Sequence, residues 1–154
     1  MTAFYRYWNP SVNDHLYTAD IFEIGTATPG QRGHHGYVSE GTECLIYSRQ
    51  VVGTVPLYRY WRPRATSNDH FYTIDPNEVG ATTLHGYISE GVVGYCFPSA
   101  VAGTIPLYRY WKFSVRDHLY TTNAAEIGTT IRGQVGSYGY RSEGVACYVI
   151  PYNG

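Results

Sequence analysis

The residues of this chain with chemistry to offer come in threes. Asp14 and His15, Asp69 and His70, and Asp117 and His118 are adjacent acid–imidazole pairs, each with a tyrosine two positions on (Tyr17, Tyr72, Tyr120). Trp8, Trp61 and Trp111 stand just before these sets, and Arg6, Arg59, Arg109 and Glu40, Glu90, Glu143 recur with them. A carboxylate and an imidazole can hydrogen-bond vicinal hydroxyls while an aromatic face covers the apolar side of a sugar ring. The set is therefore read as up to three equivalent, shallow glycan sites, one per copy. The tyrosines are the expected ring contact and the tryptophans the second choice for stacking. Single weak sites of this kind gain avidity on a glycan-coated surface. A scaffold reading stands beside it: Arg and Glu can brace a sheet as a pair, Asp can cap its own turn, and Trp can fill a core.

Catalysis is not expected. A triad draws single members from separate elements, whereas here one dipeptide recurs unchanged. No Gly-x-Ser-x-Gly, His-Glu-x-x-His or phosphate-loop run occurs. Neither a metal nor a cofactor is expected, because strand neighbours such as Asp14 and His15 point to opposite faces.

The elements that must position these residues repeat as a block. YRYWNPSVNDHLYT, YRYWRPRATSNDHFYT and YRYWKFSVRDHLYT begin at Tyr5, Tyr58 and Tyr108, and a Gly-Tyr-x-Ser-Glu-Gly run begins at Gly36, Gly86 and Gly139. The period of roughly 50 residues lies in the range of repeated supersecondary units. The chain is read as a single domain of three repeats, 4–53, 54–103 and 104–154. Each opens with a strand ending at Trp and returns as His-[Leu/Phe]-Tyr-Thr; the turn between them holds Pro10 and Asn13-Asp14, Pro63 and Asn68-Asp69, or Phe113 and Arg116-Asp117, which predicts a hairpin. Asp20, Asp75 and Asn123 are followed by Glu23, Glu78, Glu126 and then Gly25, Gly80, Gly128, the pattern of a capping box and a terminating glycine around one helical turn. A third strand carries Gly-Tyr-x-Ser-Glu-Gly and a fourth holds Cys44–Tyr47, Val93–Phe97 or Ala146–Ile150. Four strands in triplicate predict an all-β, threefold pseudosymmetric β-trefoil, with twelve strands closing a capped barrel. The alternative is three propeller-like blades that complete a six-bladed propeller by dimerisation.

Composition agrees with a folded β domain. Aromatic residues are 16%, with 17 tyrosines, and charged residues only 15%. The net charge of −1 gives no electrostatic footprint for nucleic acid or an anionic membrane. No apolar run is long enough to span a bilayer and MTAFYRYW reads as no secretory leader, so no membrane insertion and a cytoplasmic location are expected. Cys44, Cys96 and Cys147 share a strand parity and are read as buried free thiols.

The run YRYWxPxxxDHxYT…ExG…GYxSEG resembles an aromatic repeat domain of fungal proteins that is also appended to bacterial secreted hydrolases, and the resemblance covers nearly the whole chain. It implies an accessory or binding role rather than a reaction. The stand-alone architecture also looks like the small β-trefoil lectins of mushroom fruiting bodies, although the Gln-x-Trp signature of ricin-type trefoils is missing. The expected function is a lectin whose partners are glycans or glycoconjugates, with a homodimer left open. The alternative is a protein-binding module or protease inhibitor acting through the variable loops, the longest being 129–138.

Overall fold

The computed structural model describes residues 1–80 and 85–154. Part of the middle repeat's variable loop, residues 81–84, lies outside the described residues. Each repeat builds one three-stranded antiparallel sheet. In the first, β1 (Thr2–Asn9) lies between β2 (Asp14–Thr18) and β3 (Val38–Ile46). The second places β4 (Val55–Arg62) between β5 (Asp69–Thr73) and β6 (Ile88–Cys96). The third places β7 (Ile105–Lys112) between β8 (Asp117–Thr121) and β9 (Arg141–Val149). The fold is all-β and β-trefoil-like, a near-threefold arrangement of equivalent units, and its sheets do not close a barrel.

The expected hairpin is present, with Trp8 opposite His15 and Arg6 opposite Tyr17. Both pairs recur, as Trp61–His70 with Arg59–Tyr72 and as Trp111–His118 with Arg109–Tyr120. Cross-strand partners share a face, so Arg, Trp, His and Tyr line one side of each hairpin and Asp lines the other.

The count of twelve strands is corrected to nine among the described residues, because the third and fourth expected strands are one. At Ser-Glu-Gly the chain does not end its strand; it bulges. The register runs Tyr7↔Ser39 and then Tyr5↔Thr42, one residue longer on the β3 side, and Gly41 sits at φ +90°. A left-handed residue inside a ladder is the glycine-dependent form of bulge, and it lets β3 bend around the molecule.

The inner strands β2, β5 and β8 are buried at every residue and touch one another in all three pairings. Contact between the first and third inner strands closes the ring within one chain. That corrects the half-propeller alternative, in which the outer two blades would be held apart by a partner. Backbone bridges Tyr47↔Tyr95, Phe97↔Tyr148 and Leu45↔Ile150 repeat the closure at the outer strands. The central core gathers Phe4, Leu57 and Leu107 with Ile46, Val149 and the three cysteines, all free and buried. Among the described residues no helix is long and apolar enough to cross a membrane.

One short helical turn per repeat is also present. It is α1 (Ile21–Ile24) in the first, with Gly25 closing it at φ +95°, a 3-10 turn at Pro76–Glu78 in the second, and a turn over 124–127 in the third. Asp20, Asp75 and Asn123 each accept from the backbone N–H two residues on, at 2.9, 3.0 and 3.1 Å. The glutamates of the pattern do not turn back onto the backbone as a capping box would have them. Their carboxylates reach into the next repeat.

Candidate functional site

The triplicated polar residues join the repeats pairwise. Asp14 does not engage His15, its neighbour in sequence. Its Oδ1 accepts from the His70 backbone N–H at 3.0 Å, and its Oδ2 lies 2.6 Å from His70 Nδ1. Asp69 holds His118 in the same way, at 2.8 and 2.6 Å, and Asp117 holds His15, at 2.9 and 2.6 Å. A tyrosine of the Asp's own repeat donates a further hydrogen bond to each carboxylate: Tyr37 to Asp14, Tyr87 to Asp69 and Tyr140 to Asp117.

Beyond the imidazole the charges continue to alternate. His70 Nε2 lies 3.3 Å from Glu90, which takes Arg59 Nε at 2.8 Å, and Arg59 forks onto Glu23 of the first repeat at 3.0 and 2.6 Å. The equivalents are His118–Glu143–Arg109–Glu78 and His15–Glu40–Arg6–Glu126. Each boundary between repeats thus carries Asp, His, Glu, Arg and Glu in a row, with the first and last from one repeat and the middle three from the next. Planar guanidinium–carboxylate forks of this kind fix orientation as well as adding energy. Burial favours neutral rings, yet Asp14 lifts His70 to about 9 and Asp69 lifts His118 to about 9, so both are imidazolium at neutral pH. Against the cost of its own burial, the hydrogen bond from His118 holds Glu143 down to about 2.

The tyrosines expected to meet a ligand lie on the threefold axis instead. Tyr17, Tyr72 and Tyr120 are at most 1% exposed, with ring centroids 5.2–5.5 Å apart in edge-to-face contact. Each hydroxyl donates to the carbonyl of one tyrosine of a neighbouring repeat at 2.5–2.8 Å and accepts from that same residue's N–H at 2.6–2.8 Å, which closes a ring of six hydrogen bonds. Asp14, Asp69 and Asp117 are fully enclosed, and their carboxylate oxygens converge within 4.8 Å of one another. Neither the aspartates nor these tyrosines offer an atom to solvent, so their expected roles as sugar donors and ring contact are corrected to holding the repeats together. The histidines are nearly enclosed as well, at 8%, 6% and 2% exposed.

The tryptophans are different. All three are partly exposed, each set against its own histidine at 4.4–6.4 Å between centroids. Each lines a cleft at a boundary between repeats. The cleft of Trp61, His70 and Glu90 is walled on the other side by Asn9, His35 and Tyr37 and holds about 430 Å³. Trp111, His118 and Glu143 face Arg62 and Tyr87 across about 430 Å³. Trp8, His15 and Glu40 face Lys112, Tyr138 and Tyr140 across about 320 Å³. The cleft-facing tyrosines Tyr37, Tyr87 and Tyr140 and the residue that follows each Trp were missed in the sequence. The signal was there, since Gly-Tyr is repeated beside an aromatic or imidazole ring, but it lies far along the chain from the tryptophan it faces.

The structure therefore defines a class: a threefold all-β repeat domain with polar boundaries and a cleft at each one. The sequence matches a family profile over residues 3–150, and the chain belongs to that family, described as "Domain of unknown function (DUF5648)". No curated protein and no solved structure matches it.

Proposed function

We propose that this chain is a carbohydrate-binding protein, a lectin, with up to three glycan sites set at the boundaries between repeats and no catalytic role. The observation that carries this reading is the same cleft occurring three times, each with a partly exposed indole beside an imidazole–glutamate pair and a facing tyrosine. Indole faces stack on the apolar side of sugar rings, while carboxylate oxygens and ring nitrogens take hydroxyls. Shallow clefts of a few hundred Å³ suit one or two sugar residues, and three of them on one small body favour multivalent glycans. The likeness to small mushroom lectins supports the same reading, and a fungal, cytoplasmic setting goes with it, as do three free thiols.

A second reading has its own observation. The loop over 129–138 exposes Ile131 at 62% and Val135 at 57%, apolar side chains that a protein partner could cover. A glycan array read with wild type and with W8A/W61A/W111A separates the two. The lectin reading expects array binding that falls about tenfold or more in the triple variant, with an unchanged circular dichroism spectrum. Binding that survives the triple variant overturns it, and capture of a protein lost only on replacing 129–138 favours the second reading.

A further inference from the structure

The three clefts are alike in their tryptophan wall and differ on the facing one, where the residue after each Trp is Asn9, Arg62 or Lys112. Asn9 is satisfied locally: its amide donates to the His35 carbonyl at 2.9 Å and its Oδ1 accepts from the Ser11 N–H at 3.0 Å. Lys112 lies over the Tyr140 ring, 5.7 Å from its centroid. Arg62 is only 9% exposed, yet among the described residues its Nε has no hydrogen-bond partner. A buried charged donor without an acceptor is costly. The guanidinium is held 5.1 Å over the Tyr87 ring, so it stays in the cleft rather than swinging to solvent.

Four other polar or titratable groups face the same space: Arg116, His118, Glu143 and the Tyr87 phenol. The phenol is committed to Asp69. Glu143 spends its Oε1 on Arg109 at 2.8 Å and on His118 Nε2 at 3.3 Å, and among the described residues it forms no ion pair with Arg62. Arg116 is exposed and forms no ion pair among the described residues, adding a second cation at the mouth. Across the cleft stand Trp111 and Phe113, the latter 75% exposed, as apolar faces for a ring.

Resting on the lectin reading, we infer that the boundary between the second and third repeats takes an acidic saccharide, a sugar acid such as a hexuronate, whose carboxylate sits on Arg62 while its ring lies against Trp111. The planar fork of a guanidinium matches a carboxylate better than a spherical charge does. With a net charge of −1 the chain has no broad basic field to draw in polyanions, so the recognition is local.

Each of the three tryptophans belongs to a different cleft, so three indole N–H resonances report the three boundaries separately. They are assigned by single Trp→Phe variants and followed on titration with glucuronate, glucose and acetate. Glucuronate is expected to move the Trp111 resonance with an affinity about tenfold above that of glucose. That preference is expected to vanish in R62Q, to weaken in the exposed-site variant R116Q, and to fall with added salt. Equal responses to glucuronate and glucose at Trp111, or a preference that survives R62Q and R116Q alike, overturn the inference and leave the lectin reading intact if neutral sugars bind. Acetate matching glucuronate shows a bare anion site and overturns the sugar-acid assignment. Binding of glucuronate at Trp111 alone, with no neutral sugar at any boundary, upholds this inference and sinks the three-site lectin.

Discussion

A tyrosine hydroxyl on the axis does two jobs at once, and Tyr72 shows what each contributes. Its oxygen donates to the Tyr17 carbonyl at 2.6 Å and accepts the Tyr17 N–H at 2.6 Å, so one atom stitches the inner strands of the first two repeats. Tyr72→Phe keeps the ring and its edge-to-face contacts while leaving the fully buried Tyr17 N–H without its acceptor; the Tyr17 C=O keeps Arg59 Nη1 at 3.3 Å. An unsatisfied buried backbone group costs about 1–3 kcal/mol, and urea denaturation of Y72F is expected to show a loss in that range. Tyr58→Phe, on the opposite face of the sheet and only partly buried, is the control and is expected to change little. The residue identities of this network were legible in the sequence; their partners were not. Asp14 and His15 sit side by side but point to opposite faces, and only the packing of one repeat on the next brings Asp14 to His70. A motif conserved within a repeat was thus made by contacts between repeats, which no spacing along the chain encodes. The tryptophans stayed at the surface because their cross-strand partner, His, is pulled inward by the neighbouring Asp.

At the scale of the element, the repeats are equivalent in backbone and unequal in filling. Cys44 lies opposite Phe4 and Cys147 opposite Leu107, whereas the corresponding place opposite Leu57 is Gly94. One layer further, Ile46, Cys96 and Val149 occupy equivalent positions. The missing side chain at Gly94 is replaced from the first repeat: a Cβ there would stand 2.3 Å from Ile46 Cδ1. Gly94→Ala is therefore expected to destabilise by about 1–3 kcal/mol through overpacking, although alanine suits a strand better than glycine. Ile46→Val removes the colliding methyl and alone costs about 0.5–1.5 kcal/mol. The double variant is expected to be more stable than the sum of the single effects predicts, by a coupling that thermal melts of all four proteins measure. Additive losses would mean the two positions do not touch. The hairpin, the helical turn and the strand faces were all readable, because turn chemistry and two-residue alternation are local. The fused third strand was not, since a glycine in Ser-Glu-Gly signals a stop and a bulge equally well until its ladder partner is known. The cysteine parity held for the same local reason that the offset of Cys96 could not be interpreted: Gly94 had taken its place.

For the whole molecule, two of the boundaries, those of His70 and His118, make stability depend on alkaline pH in a defined direction. His70 and His118 are raised from 6.5 to about 9 by Asp14 and Asp69, so the folded chain binds their protons more tightly than the unfolded chain. The resulting stabilisation is complete below about pH 6.5 and is lost as pH rises through about 9. The buried phenols act in the same sense further up. Burial pushes Tyr17, Tyr72 and Tyr120 well above 10, and burial with the facing aspartates does the same for Tyr37, Tyr87 and Tyr140. Urea midpoints are thus expected to fall between pH 6.5 and 9.5, with the fall reduced in His118→Gln, which cannot carry the proton. A flat profile over that range would mean that the His70 and His118 rings are neutral in the fold and that the alternating charges across those two boundaries are absent. In an alkaline titration the axial and boundary tyrosines are expected to ionise late and in one cooperative step of phenolate absorbance. That step is expected to coincide with loss of the β signal in circular dichroism, because a ring of hydrogen bonds shared by three repeats gives way as a unit. A single smooth titration with the fold intact would place those hydroxyls in contact with water and break the link between the axis and the stability of the whole.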